Sequence, residues 1–344
     1  MNVPAALPRT GVQHALPRTG VQHALPRNAA LLSGLDIARL QGVEIGPLDR
    51  PVVTPAQGRI LYVDHADTET LRAKYAGDPG VRTAALAPVG HVWDRGGAGL
   101  DAWCVAYGPV DYVVAAHVAE HVPDLIGWLR ALARALSPGG QIRLVLPDRR
   151  FCFDHHRAES RLADLLAAEV AGCTRPPPAR VADQYLTVVA ADPACIWRGE
   201  VPPPPPVDAA RYRWAEAACR ASLAPGAYED VHCWVVTPRS FCLLLADLAA
   251  FGVLALRCSL FRDTQPDGLD FIVGLAPCDD RGVAASSWRD AAAQSVAAPR
   301  AANSVSGAYR LGARIGRSLP RLGRPLPPPL RRLLAGLADG AAKT

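Results

Sequence analysis

The chain has 344 residues, half of them hydrophobic, enough for one large domain or two small ones, and no apolar stretch nears the ~20 residues of a membrane span. Its nine cysteines are scattered from Cys104 to Cys278 without a C-x-x-C pair, which points to reduced thiols in a cytoplasm and excludes a disulfide framework or a cysteine zinc site. The formal charge of +5 is lopsided: residues 281–344 carry ten arginines and Lys343 against Asp290 and Asp339, a net +9, which leaves −4 for a body unsuited to binding nucleic acid.

Residues 6–14 (ALPRTGVQH) repeat at 15–23, and ALPR opens a third copy at 24. Two and a half proline-bearing copies cannot build a solenoid, so residues 1–27 read as a disordered leader without a secretory signal. Asn28 is placed to cap a helix running to Leu40. Gly42 to Ile45 reads as a short strand, broken by Gly46-Pro47, and Ile60 to Val63 as the next, ended by Asp64-His65. Asp67 or Thr68 can cap a helix to Tyr75, and Val89 to Trp93 forms a third strand ended by Asp94.

Val110 to Ala116 is a near-continuous apolar run ending at His117, the pattern of a strand buried on both faces of a parallel sheet. Asp124 then caps a helix whose Leu125, Trp128, Leu129, Leu132, Ala133 and Leu136 form one stripe. Ser137-Pro138-Gly139-Gly140 stops it, and Gln141 to Leu146 makes a second strand. Strand, helix and strand form a βαβ unit, and ligands in such sheets sit beyond the carboxyl ends of the strands. Those ends carry His117, Glu120 and His121 on one side and Asp148, Arg149 and Arg150 on the other.

Residues 150–230 are proline-interrupted, with extended runs at 176–178 and 202–206 and helix expected near 158–171 and 208–222. Thr237-Pro238 starts a helix with Phe241, Leu244, Leu245 and Leu248 on its buried face. Val253–Phe261 and Leu269–Leu275 should pair as an antiparallel hairpin around Pro266-Asp267-Gly268. The domain is expected to span 28–280, followed by a basic tail over 281–344.

Glu44, Asp64 and Asp94 close three successive strands, and Gly46 follows the first. A dinucleotide fold uses such spacing to hold a ribose with a carboxylate, although G-x-G-x-x-G is absent and solvated strand-end acids explain the pattern as well. Taken together, VEIGPLDRP at 43–51, LYVDH at 61–65, HVWDRGG at 91–97, VDYVVAAHVAEHVPD at 110–124 and SPGGQIRLVLPDRR at 137–150 resemble the ordered motifs of class I S-adenosylmethionine (SAM)-dependent methyltransferases. The likeness is to bacterial methyltransferase-domain proteins of the type 11 kind. It is strongest over 42–150 and extends through 231–245 to the hairpin.

The resemblance implies an α/β fold, a mostly parallel doubly wound sheet ending in an antiparallel hairpin, with SAM as cofactor. Glu44 and Gly46 would line its methionine end, Asp64 with His65 the ribose, Asp94 the adenine, and His117 the region of the sulfonium. The family's glycine-rich loop is reduced here to Gly46-Pro47-Leu48, and Pro47, Pro51 and Pro55 leave no room for the helix that usually follows. The resemblance further implies a small-molecule or glycan acceptor rather than nucleic acid, docking on the 150–230 insertion, where Trp197, Tyr212 and Trp214 either line a pocket or pack a small core. A SAM-fold binding module without turnover is the rival reading.

His117, Glu120 and His121 also match H-x-x-E-H, an inverted zinc-peptidase signature that needs both histidines on one helical face. Pro123 and the preceding strand argue against that helix, so the expectation is no metal site, with Glu120 and His121 orienting the loop by hydrogen bonds. A metal-dependent hydrolase is the distant alternative. A third reading keeps a metal: an E-x-x-E-H run after the same strand occurs in some RNA 2′-O-methyltransferases and quinone-pathway methyltransferases, and with His117 here in place of the first acid that resemblance leaves a divalent site as a further alternative. His121, His155 and His232 are candidate bases for an acceptor proton, since neutral imidazole exists near pH 7. The tail arginines suit contact with an anionic membrane surface, with a solvated tail as the default.

Overall fold

A computed structural model describes residues 24–93, 107–206 and 208–295. Asp94, Gly96, Gly97, Cys104, the repeats up to His23 and the basic tail from 296 onward lie outside the described residues. The chain divides into two units, 1–299 and 300–344, and every described residue belongs to the first. No helix among the described residues is long and apolar enough to cross a membrane.

Seven strands form one sheet: β1 (Gln41–Ile45), β2 (Arg59–Asp64), β3 (His91–Val92), β4 (Val110–Ala116), β5 (Leu136–Pro147), β6 (Leu256–Arg262) and β7 (Asp270–Pro277). Their order is β3-β2-β1-β4-β5-β7-β6. β1 to β5 pair in parallel, while β7 runs antiparallel to both β5 and β6. The sheet is therefore mostly parallel with a reversed strand inserted near one edge, as the hairpin pattern predicts. Parallel register aligns the carboxyl ends of β1, β2 and β4, with Ile45 opposite both Val63 and Ala115.

Alternation along β4 divides the core. Val113 and Ala115 face α3 (Leu125–Arg134) and the carboxyl-terminal helices, whereas Tyr112 and Val114 face Leu31, Val52 and Val53. The predicted stripe on α3 is buried at Leu125, Trp128, Leu129 and Leu132, each worth about 1.5–3 kcal/mol out of water. Asp124 caps this helix by accepting from the Gly127 N–H at 2.9 Å, and Asp67 caps α2 (Thr68–Lys74) in the same way. The chain re-enters the sheet at Leu136, earlier than the proline and glycines suggest, and a bulge after Val110 absorbs the irregular stretch.

The first helix, α1 (Ala24–Leu31), begins inside the expected leader and ends well short of Leu40. Gly34 at φ +78° turns the chain there, a backbone state that costs a glycine little. No helix forms between Gly46 and Gly58. That crossover is an irregular loop whose Val52 and Val53 still cover the sheet.

The insertion carries α4 (Leu162–Val170), α5 (Pro178–Thr187), α6 (Pro193–Trp197) and α7 (Ala209–Ser222). Pro178 and Pro193 start helices rather than break them, because proline at the first position loses no intrahelical hydrogen bond. The expected extended run at 176–178 is thus corrected at its last residue. α8 (Pro238–Ala250), capped by Thr237, packs on α9 (Arg281–Gln294). The expected domain boundary after 280 falls too early. Trp288 on α9 is fully buried, donates to the Leu256 carbonyl at 2.8 Å and meets Phe241 edge-on. An alanine-rich helix with one tryptophan carries its stripe in small residues, which apolar periodicity registers poorly.

Candidate functional site

One side of the candidate site is built from the ends of β1 and β2. Gly46 adopts φ +67° and donates to the Val63 carbonyl at 2.8 Å; a Cβ there would lie 2.8 Å from Val118 Cγ2. Only glycine keeps that corner open at low cost. Glu44 is buried, and its two carboxylate oxygens accept from the N–H groups of Val52 (2.7 Å) and Val53 (3.1 Å). Burial lifts its pKa to about 7 against the pull of those donors. Glu44 thus anchors the crossover loop in place of the missing helix.

Asp64 Oδ1 accepts from the His65 backbone N–H at 2.7 Å and faces the His65 ring Nδ1 at 2.6 Å. Lys74 Nζ lies 3.2 Å from His65 Nε2. Both of the Asp64 contacts with His65 use Oδ1. Asp94, expected at the adenine, lies outside the described residues.

The β4 end differs in kind. His117 sits at φ +57°, a strained left-handed state for histidine, and closes the strand abruptly. Its Nε2 meets Asp270 at 3.1 Å, and Asp270 also pairs with Arg27 at 3.1 Å. Burial works against a charge on His117, yet its contacts with Asp270 and Glu120 outweigh it and raise the pKa to about 9. Ala119–His121 forms a single 3-10 turn, so His117 and His121 share no helical face. The inverted-peptidase arrangement is absent there.

That turn instead meets the far end of the insertion. The Glu120 carbonyl accepts from the N–H groups of Cys233 (2.6 Å) and Trp234 (3.2 Å), Trp234 Nε1 donates to the Val122 carbonyl (2.6 Å), and the Tyr228 hydroxyl to that of His121 (3.0 Å). This lacing brings the His232 ring within 4.7 Å of the His121 ring, edge to face. Glu120, His121 and His232 place donor atoms within 4.8 Å of one another. His121 Nδ1 lies 2.8 Å from Asp230, and His232 Nδ1 lies 2.5 Å from Asp154.

Behind them Arg157, wholly buried, donates to Asp154 (2.8 Å), Asp183 (2.8 Å), Gln184 (3.2 Å) and the His232 carbonyl (3.0 Å). Burial disfavours charge on Asp154, but His232 and Arg157 hold its carboxyl well below the usual range.

Of the three candidate bases, the structure unites His121 and His232 and leaves His155 apart, its Nδ1 against the Arg150 carbonyl at 2.7 Å. Burial lowers the His155 pKa. Glu120 and His121 orient the loop by hydrogen bonds through their backbone carbonyls, and not through the Glu120 side chain. It accepts none among the described residues, and His117 Nδ1, at 3.4 Å, is only an ion-pair neighbour. The backbone carbonyl of Glu120 does that work.

Trp197 stacks on Phe151 and donates to the Gly268 carbonyl at 2.9 Å, Trp214 packs against Tyr185, and Tyr212 is exposed. These aromatics build the insertion or face water. Asp154, Arg157, Asp230 and Asp270 were not singled out from the sequence. A lone signal for them existed in the run Asp154-His155-His156-Arg157, where four polar residues follow a buried strand.

Residues 33–248 match the sequence model of a methyltransferase-domain family. No curated protein sequence matches the chain. Among solved structures, a protein described as a candidate zinc-dependent alcohol dehydrogenase from Rhodobacter sphaeroides is 10% identical, over 73% of this chain and 89% of its own, with a TM-score of 0.39. The CcbJ methyltransferase from Streptomyces caelestis is 12% identical over 73% and 89%, with a TM-score of 0.37. A SAM-dependent methyltransferase from Mesorhizobium loti is 15% identical over 73% and 95%, with a TM-score of 0.34. None of these scores reaches one half, and the sequence match carries the assignment.

Proposed function

Because the chain belongs to the methyltransferase-domain family, we propose that it binds SAM at the ends of β1, β2 and β4 and methylates a small-molecule or glycan acceptor docked against the insertion. The observation that carries this reading is the corner at Gly46, where a Cβ would fill the space beside Val118, at the same sheet edge as an Asp64 carboxylate whose hydrogen bonds among the described residues use Oδ1. These residues fit the cofactor: Gly46 lets the backbone approach its amino-acid end, and Asp64 accepts from its ribose hydroxyls. SAM, when bound, supplies an electrophilic methyl group on a sulfonium. The protein's own contribution is alignment and exclusion of water, with the acceptor's proton leaving toward the polar edge of Glu120, His121 and His232.

Calorimetry with SAM and with S-adenosylhomocysteine tests the reading, together with mass detection of S-adenosylhomocysteine formed over time. Binding of both and slow turnover support it; no binding of either removes it. The rival, a binding module without transfer, draws on one observation: the β1–β2 crossover has a single glycine and no helix. SAM bound without any S-adenosylhomocysteine across an acceptor panel would favour that rival.

A further inference from the structure

We propose that Glu120, His121 and His232 form a site for one divalent transition cation of the zinc type on the acceptor side of the sheet edge. Their donor atoms converge within 4.8 Å, although they come from two segments joined only through the fold. His232 has its Nδ1 hydrogen-bonded to Asp154, and His121 Nδ1 lies 2.8 Å from Asp230 in an ion-pair contact. A neutral imidazole that donates from Nδ1 presents its lone pair at Nε2, the arrangement by which a carboxylate fixes the tautomer and orientation of a metal-ligating histidine. The Asp154 brace is itself held by buried Arg157.

The third donor supplies the strongest argument. Glu120 is 1% exposed, and neither carboxylate oxygen accepts a hydrogen bond among the described residues. A buried carboxylate without a hydrogen-bond donor is costly, His117 offsets its charge only as an ion-pair neighbour at 3.4 Å, and a cation held between it and the two imidazoles removes the remainder. Two imidazoles and one carboxylate suit zinc, cobalt or manganese; calcium and magnesium favour oxygen donors throughout. Three protein donors keep a further position for an oxygen, from water or from the acceptor. Only the mention of the acceptor rests on the methyl-transfer reading; the site does not, because the cation is tested without SAM.

The full-length protein, stripped with chelator, is titrated with Co2+ alone and followed by its visible ligand-field bands, while elemental analysis counts Zn2+ after reloading. One cation per chain is expected, with Glu120→Gln and His232→Asn each weakening Co2+ by more than about a hundredfold. Asp154→Asn, which leaves all three donors, should weaken it by about 10–100-fold. Failure of the wild-type protein to take up a stoichiometric cation overturns the proposal, as does uptake unchanged in both ligand variants. Should a variant not fold, the wild-type protein still decides. Bound Co2+ must broaden the ring resonances of His121 and His232 ahead of those of His155 and His156, and the reverse order places the cation elsewhere.

Discussion

At the ends of β1 and β2, polar groups are satisfied by near neighbours in sequence: Glu44 by the N–H groups of Val52 and Val53, Asp64 by His65. Beyond β4 the Glu120 carboxylate accepts no hydrogen bond among the described residues, and the two histidines beside it are backed by Asp154 and Asp230. The first half spends its carboxylates on architecture and offers a ligand little beyond one oxygen of Asp64 and an open corner at Gly46. The second half invests its architecture in holding three donors in place. Buried polar groups that are braced but unsatisfied mark where a fold reserves its interactions for something it does not itself contain.

The contrast gives ordered expectations. Arg157→Met should have the largest effect, about 3–5 kcal/mol of stability by urea unfolding, because Asp154 is left charged and buried without its guanidinium. SAM affinity should hold in the surviving folded protein; a parallel loss of both would show that the two sides are not separable.

Next comes the anchor of the crossover loop. Burial raises the Glu44 pKa from its ordinary 4.5 to about 7, so its contribution to stability is fully present below about pH 4.5 and lost as pH rises through 7. Glu44→Gln removes that dependence. The stability of wild type relative to the variant should therefore fall by roughly 3 kcal/mol between pH 4.5 and 8, at 1.36 kcal/mol for each pKa unit. Parallel stability curves for the two proteins would show that Glu44 titrates normally.

The smallest effect belongs to Asp64→Ala, which should weaken SAM binding in calorimetry by about 1–3 kcal/mol while leaving the melting temperature alone. Unchanged affinity would take Asp64 out of the site.

What could be read from the amino-acid order follows the same division. The caps at Asp67, Asp124 and Thr237, the buried run of β4 and the reversed hairpin are local patterns, and each stands in the structure at or within a few residues of where its pattern puts it. Glu44, Gly46 and Asp64 could be nominated because strand ends in a parallel sheet share one edge. The Asp154–His232 contact joins residues 78 apart, and the Trp234–Val122 bond joins residues 112 apart, so no spacing rule reaches them. The proline-rich composition of 150–230 hid α5 and α6 because a proline that starts a helix and one that breaks it look alike in a composition. α9 was missed for the opposite reason: its buried face is mostly alanine, with little apolar contrast to detect.

The lacing of the Cys233–Trp234 segment to the Glu120 turn also bears on the order in which the protein becomes itself. Closing a loop of that length costs conformational entropy that grows with the logarithm of the span, and long-range contacts repay it only once both ends are already structured. A chain emerging from synthesis holds β1, β2, β4 and the corner at Gly46 long before residue 232 exists. Partial molecules can therefore possess the cofactor corner while lacking the cluster opposite. The cluster needs the chain as far as residue 232, so it cannot be complete before the whole insertion has been made.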